Sequence, residues 1–180
     1  MRKLNTLLSA ALIAILLIHV VFGSFMVLGI GHNGGKILAL IGAGLLILHI
    51  LLSGVATTQT IRRMVRSHMP LYVRANRLFL LRRLSGLGIA IFLVFHIGMF
   101  GTMVGTHYVL YEFTTPKLLL QFGFMTSLFV HIGTNIRPLF VSLGWQQITN
   151  HCRDVYVVLV VLYMFTLTAI SMYYGGWQTL

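Results

Sequence analysis

The stretch Arg82-Arg83-Leu84-Ser85-Gly86-Leu87-Gly88-Ile89-Ala90-Ile91-Phe92-Leu93-Val94-Phe95-His96 decides the fold. Two arginines form a cationic edge, small residues follow, and an apolar run then carries one imidazole far from that edge. Such a run bounded by cations is the pattern of a helix that enters a membrane from its charged side. An imidazole deep in such a helix is costly in lipid, so it marks either a functional position or an internally bonded one.

The rest of the chain follows the same pattern. Of its 180 residues, 58% are hydrophobic and 8% are charged, whereas a soluble domain carries about a quarter charged residues. At roughly 20 residues per span there is room for about five spans and for no separate soluble catalytic domain. The expectation is an all-α integral membrane bundle, a single domain over 1–180. Its five transmembrane helices fall at about 7–30, 36–60, 84–106, 117–139 and 154–174. The first apolar segment is too long for a cleaved signal peptide, so it counts as a span. The glycines of Gly31-His32-Asn33-Gly34-Gly35 predict a tight turn. Ile61 to Arg83 reads as a polar connection with seven arginines, and Pro116 suits the first turn of the fourth helix. Arg137-Pro138 marks that helix's end. The single cysteine, Cys152, has no partner for an intrachain disulfide.

Charge sets the orientation. Eleven of the thirteen Lys and Arg residues fall at the N-terminus, in the connection after span two, or at the edges of the connection after span four. Only Lys36 and Lys117 fall on the other side. Cationic connections stay cytoplasmic, which predicts a multi-pass protein of the cell's inner (cytoplasmic) membrane with its N-terminus in the cytoplasm and its C-terminus outside. The net charge of +11 is therefore a membrane-surface feature that meets anionic lipid, and nucleic acid is not an expected partner.

Three other predicted spans also carry a deep histidine: His19, His49 and His131. His49 lies 13 residues past Lys36 and His131 lies 14 past Lys117, so both sit roughly 20 Å below the outer edge. His19 lies 16 past Lys3 and His96 lies 13 past Arg83, roughly 20–24 Å above the inner edge. Histidines in a span can simply bond a neighbouring hydroxyl or carbonyl. Four of them, one per helix and at two matched depths, point instead to two six-coordinate haems, because a neutral imidazole ligates iron without bringing charge into the bilayer. Gly42 and Gly23 stand on the ligand faces of His49 and His19, where glycine lets a porphyrin approach and also serves plain helix packing. His32, His68, His107 and His151 lie at the edges and read as interfacial residues. Arg137 follows His131 by six residues toward the inner edge, where the carboxylates of an inner haem would lie. The aromatic set Tyr108, Tyr111, Phe113, Tyr173, Tyr174 and Trp177 predicts an outer interfacial belt.

Several of these motifs meet a known family. Ser85-Gly86 followed by nine residues and His96 is similar to the third-span motif of the five-helix, di-haem membrane anchor of succinate:quinone oxidoreductases and fumarate reductases. His131-Ile132-Gly133 with Arg137 and Gly144-Trp145 is similar to that family's fourth span and its exit. His19 stands ten residues after Ser9, a looser likeness, and span five lacks a histidine, as in the family. The resemblance implies an outer haem b held by His19 and His96 and an inner haem b held by His49 and His131. Ser85, Arg83 and Arg137 would stand beside these cofactors. It further implies an iron–sulfur subunit and a flavoprotein subunit on the cytoplasmic side, with menaquinone or ubiquinone as the membrane substrate. This chain is shorter than the family's usual length, and Leu128-Phe129-Val130 stands where some members carry an intramembrane glutamate. Two alternatives stay open: the haem b subunit of a different membrane oxidoreductase, and a haem-free membrane transporter or anchor.

Overall fold

The computed structural model describes residues 2–30, 36–67, 73–104, 107–145, 147 and 152–179. It contains α1 (Arg2–Val27), α2 (Lys36–Ser67), α3 (Val73–His96), β1 (Gly101–Val104), β2 (His107–Leu110), α4 (Thr115–Ser142) and α5 (Cys152–Gln178). Among the described residues, five helices are long and apolar enough to cross a membrane, the pattern of a multi-pass membrane protein. The glycine turn expected at 31–35 lies outside the described residues.

Several predicted boundaries are corrected. The polar connection expected over 61–83 is helical on both sides, because α2 runs on to Ser67 and α3 begins at Val73. Arginine is nearly as good a helix former as leucine, so both helices continue through their arginine-bearing stretches. Span three was expected to reach residue 106, but α3 ends at His96. Met99 N–H closes a turn onto His96 O at 3.2 Å, and Gly98 takes a positive φ of 76°, a conformation open to glycine at little steric cost. The chain then forms an antiparallel hairpin, pairing Gly101 with Leu110 and Val104 with His107. Thr102, Val104 and Val109 are β-branched and favour this extended form. The bundle is therefore not purely helical.

Arg137-Pro138 was expected to end the fourth helix, yet α4 continues to Ser142 with Pro138 inside it. Proline has no N–H, so the carbonyl four residues earlier, that of Thr134, loses its helical donor. Arg82 Nε on α3 donates to Thr134 O at 3.0 Å and replaces it. Neighbouring helices commonly re-satisfy backbone groups freed by proline in membrane helices.

The most extensive packing in the bundle is between α3 and α4, which run antiparallel. Small residues bring them close. A Cβ on Gly123 would lie 2.7 Å from Phe92 Cζ, and one on Gly88 would lie 2.7 Å from Ser127 Oγ. Gly42 also proves to be a packing glycine, since a Cβ there would meet Ile15 Cγ2 on α1 at 3.1 Å. Thr126 and Tyr163 hydroxyls, 2.9 Å apart, and Tyr156 Oη donating to Gly133 O at 3.0 Å join α4 to α5. At the hairpin end, Tyr111 N–H bonds Phe100 O at 2.9 Å and turns the chain so that Phe113 points inward. Phe113 is fully buried, stacked on Phe100 at 5.2 Å and tilted against Tyr173 at 5.2 Å. Phe113 and Tyr173 thus belong to the core rather than to the expected outer interfacial belt, while Tyr111 is exposed.

The proline repair gives a test. Arg82→Leu leaves Thr134 O without its donor and should cost about 1–3 kcal/mol. In a Pro138→Ala background, where the helix supplies its own N–H, the same change should cost much less. Unfolding of the four variants of this cycle in one detergent measures the coupling, and equal costs in both backgrounds would contradict the repair.

Candidate cofactor site

The structure brings the four deep histidines together in two pairs. The His19 ring of α1 and the His96 ring of α3 have centroids 6.2 Å apart with planes at 82°. The His49 ring of α2 and the His131 ring of α4 have centroids 6.5 Å apart with planes at 84°. These are the pairs that share a depth in the sequence. Close helix packing joins α3 with α4, α1 with α2, and α5 with both α4 and α1. The histidine pairs instead bridge α1 to α3 and α2 to α4, across the bundle rather than along its tight seams.

In each pair one ring is held by the other helix of the α3–α4 seam. His131 Nδ1 lies 3.2 Å from Arg82 O and 3.2 Å from Ser85 Oγ. A carbonyl oxygen only accepts, so the proton is on Nδ1 and Nε2 keeps its lone pair. Gly86 lies under the same ring, where a Cβ would approach Cε1 to 3.2 Å. His96 Nδ1 lies 2.9 Å from Gln121 Oε1, again an acceptor, so the Nε2 of His96 is the bare nitrogen too. Gln121 is 1% exposed. Phe124 stacks on the His96 ring at 4.8 Å and Phe100 meets it edge-on at 5.8 Å. His49 is held more loosely, with Ser9 Oγ 3.5 Å from Nδ1 and Ser53 Oγ 3.5 Å from Nε2.

The other sequence-predicted residues divide. Ser85 is buried and touches His131 rather than standing apart from it. Arg83 is half-buried and close enough to act electrostatically on both His49 and His131. Its Nε is buried without a hydrogen-bond partner among the described residues, and its guanidinium carbon lies 5.2 Å over the Phe79 ring. Arg137 is exposed, six residues past His131 and therefore about 240° round the helix from it. A Cβ at Gly23 would meet nothing within 4 Å. His32, His68 and His151 lie outside the described residues, and for His107 only the backbone is described. The sequence reading missed Gln121. Its one signal was an amide inside an otherwise apolar span, where an unpartnered polar group is expensive.

A haem fits this donor set. Metal–nitrogen bonds of about 2.0 Å, with ~1.2 Å from nitrogen to ring centre, separate the two ring centres of a bis-imidazole metal by about 6.4 Å. The two observed separations, 6.2 and 6.5 Å, bracket that distance. Among the described residues no three His, Cys, Asp or Glu side chains gather as a metal ligand set. Ligating histidines usually donate their second ring N–H to a carbonyl or similar acceptor, as His96 and His131 do here. The unpartnered Arg83 nitrogen beside the second pair suits a carboxylate of the same ligand.

The ring bonds are directly measurable. Nitrogen NMR of ring-labelled protein in lipid nanodiscs, free of any added cofactor, should find neutral His96 and His131 as the Nδ1–H tautomer. An Nε2–H tautomer at either ring would contradict the assignment. Comparison with known proteins gives no matching family model, no matching curated protein and no matching solved structure, so the function rests on these four rings and what surrounds them.

Proposed function

We propose that the chain is the membrane anchor and electron-transfer subunit of a respiratory oxidoreductase, carrying two b haems between a quinone pool and an iron–sulfur and flavoprotein pair on the cytoplasmic side, as in succinate dehydrogenase and fumarate reductase. The observation that carries this reading is the two imidazole pairs, spaced 6.2 and 6.5 Å, on four different helices. The distribution of Lys and Arg supports an orientation in the cytoplasmic membrane with the His49–His131 pair on the inner side and the His19–His96 pair toward the outer hairpin.

When bound, each haem supplies a one-electron iron centre whose potential the protein tunes. The chain's own residues do the rest. His19 with His96, and His49 with His131, are the residues that would hold the two haems, through their imidazole nitrogens. Ser85, Arg82 O and Gln121 orient two of those rings by fixing their tautomers. Phe100, Phe113 and Phe124 close the hairpin end over His96 with apolar surface that excludes water. His96 stands eleven residues beyond Ser85, so the two layers are about 16 Å apart along the bundle. That spacing sets two stations between the membrane faces.

On the cytoplasmic side, α2 and α3 end in exposed arginines, among them Arg62, Arg63 and Arg77. A positive surface of this kind steers and holds an acidic partner face, which suits an iron–sulfur subunit delivering electrons to the inner haem. A proton-relay transporter fits less well. The chain's two acids, Glu112 and Asp154, stand in the segment after the hairpin and in the first turn of α5, so no carboxylate is available near mid-span.

Single alanine substitutions test the pairing. His96→Ala and His19→Ala should each remove the same haem, and His49→Ala and His131→Ala the other, when purified protein is titrated optically against potential. Loss of a different haem from the two members of one pair, or retention of both haems in any of the four, would contradict it.

A further inference from the structure

We infer that Gln121 is a positioning residue that sets the reduction potential of the outer haem by accepting the Nδ1 proton of His96. This rests on the di-haem reading above. Gln121 lies in α4 near its hairpin end and is, with Phe113, one of the two largest fully buried side chains described. A buried amide inside a membrane span costs free energy unless it is bonded. Its Oε1 meets His96 Nδ1 at 2.9 Å, the shortest contact made by any of the four deep histidines among the described residues. Phe124 and Phe100 pack on the same ring and keep it apolar on its other sides.

The chemistry follows from what the acceptor does to the ring. An imidazole whose Nδ1–H is held by an oxygen is a more basic ligand at Nε2, and a more basic ligand favours ferric over ferrous iron. Gln121 therefore holds the outer haem's potential down. Among the described residues, no side-chain amide bonds a ring of the inner pair. His131 leans on the Arg82 backbone carbonyl and on Ser85 at 3.2 Å, with a guanidinium nearby. The two haems are thus given different second shells by one helix pair, and only the outer one depends on a removable side-chain amide.

A purely mechanical role for Gln121, as polar glue between α3 and α4, is the competing explanation. Gln121→Met keeps the length of the side chain and removes the acceptor. Gln121→Asn keeps the amide but shortens its reach. Ser127→Ala, which alters the contact with Gly88 between the same two helices, serves as the packing control.

The readouts are the midpoint potentials of both haems and the low-spin ferric EPR spectrum, the outer haem being the one absent from His96→Ala. Gln121→Met and Gln121→Asn should shift the outer haem's reduction equilibrium about tenfold toward the ferrous form, 59 mV for one electron. The outer EPR signal should change, and the inner haem and Ser127→Ala should stay at wild-type values. Selective loss of the outer haem from Gln121→Met, with the inner haem at full occupancy, would express the same role more strongly. Wild-type outer potential and EPR in both Gln121 variants, with only thermal stability reduced, would overturn the inference while leaving the di-haem reading intact. Absence of haem from the wild-type chain would overturn both.

Discussion

The antiparallel contact between α3 and α4 is the constraint on which the rest of the structure depends. Each of the two helices holds a histidine of the other. Arg82 O and Ser85, midway along α3, fix the ring of His131 just past the middle of α4. Gln121, early in α4, fixes the ring of His96 at the last position of α3. Gly86, Gly88 and Gly123 let the two backbones come close enough for these bonds, since a Cβ at each would press on His131, Ser127 and Phe92. In lipid no hydrophobic effect drives helices together, so close packing and interhelical hydrogen bonds decide the geometry. The same contacts that assemble the bundle therefore also set the tautomers of two of the four rings.

The α3–α4 seam also explains why a proline is tolerated near His131. Pro138 opens the helical hydrogen-bond ladder at Thr134, three residues past His131. Arg82 closes it from α3 while its own carbonyl takes the His131 proton. One residue thus stitches the helix on one side and orients the ring on the other. At the opposite end the hairpin and the Phe100–Phe113–Tyr173 cluster close over His96. The arginine side is polar and exposed, whereas the hairpin side is apolar and packed.

Much of this was legible in the sequence, for physical reasons that name its limits. Apolar length and the bounding cations give five spans, because lipid thickness and the cost of charge leave few alternatives. Counting residues from the cationic edges puts His19 level with His96 and His49 level with His131, because helix rise converts spacing directly into depth. Helix ends were read less well. Composition sees where lipid stops, not where the helix stops, so α2 and α3 run on through their arginines and α4 runs on through Pro138. The hairpin was taken for an end of span three because Met99, Phe100 and Met103 are apolar, although Gly98 was the break. Gln121 was passed over because a single amide in an apolar run says nothing of its partner, which lies 25 residues away in the sequence on another helix. Of the two readings open for Gly42, porphyrin approach and helix packing, the structure shows packing against Ile15, a neighbour that spacing along one helix does not reveal.

The most direct measurement of the central claim is a pyridine haemochrome assay with a reduced-minus-oxidised spectrum on the purified protein, normalised to this chain. On the proposed di-haem reading, the expected result is two b haems per chain. A single haem would leave one of the pairs as a structural contact, and a chain that purifies folded but without haem would contradict the di-haem reading altogether.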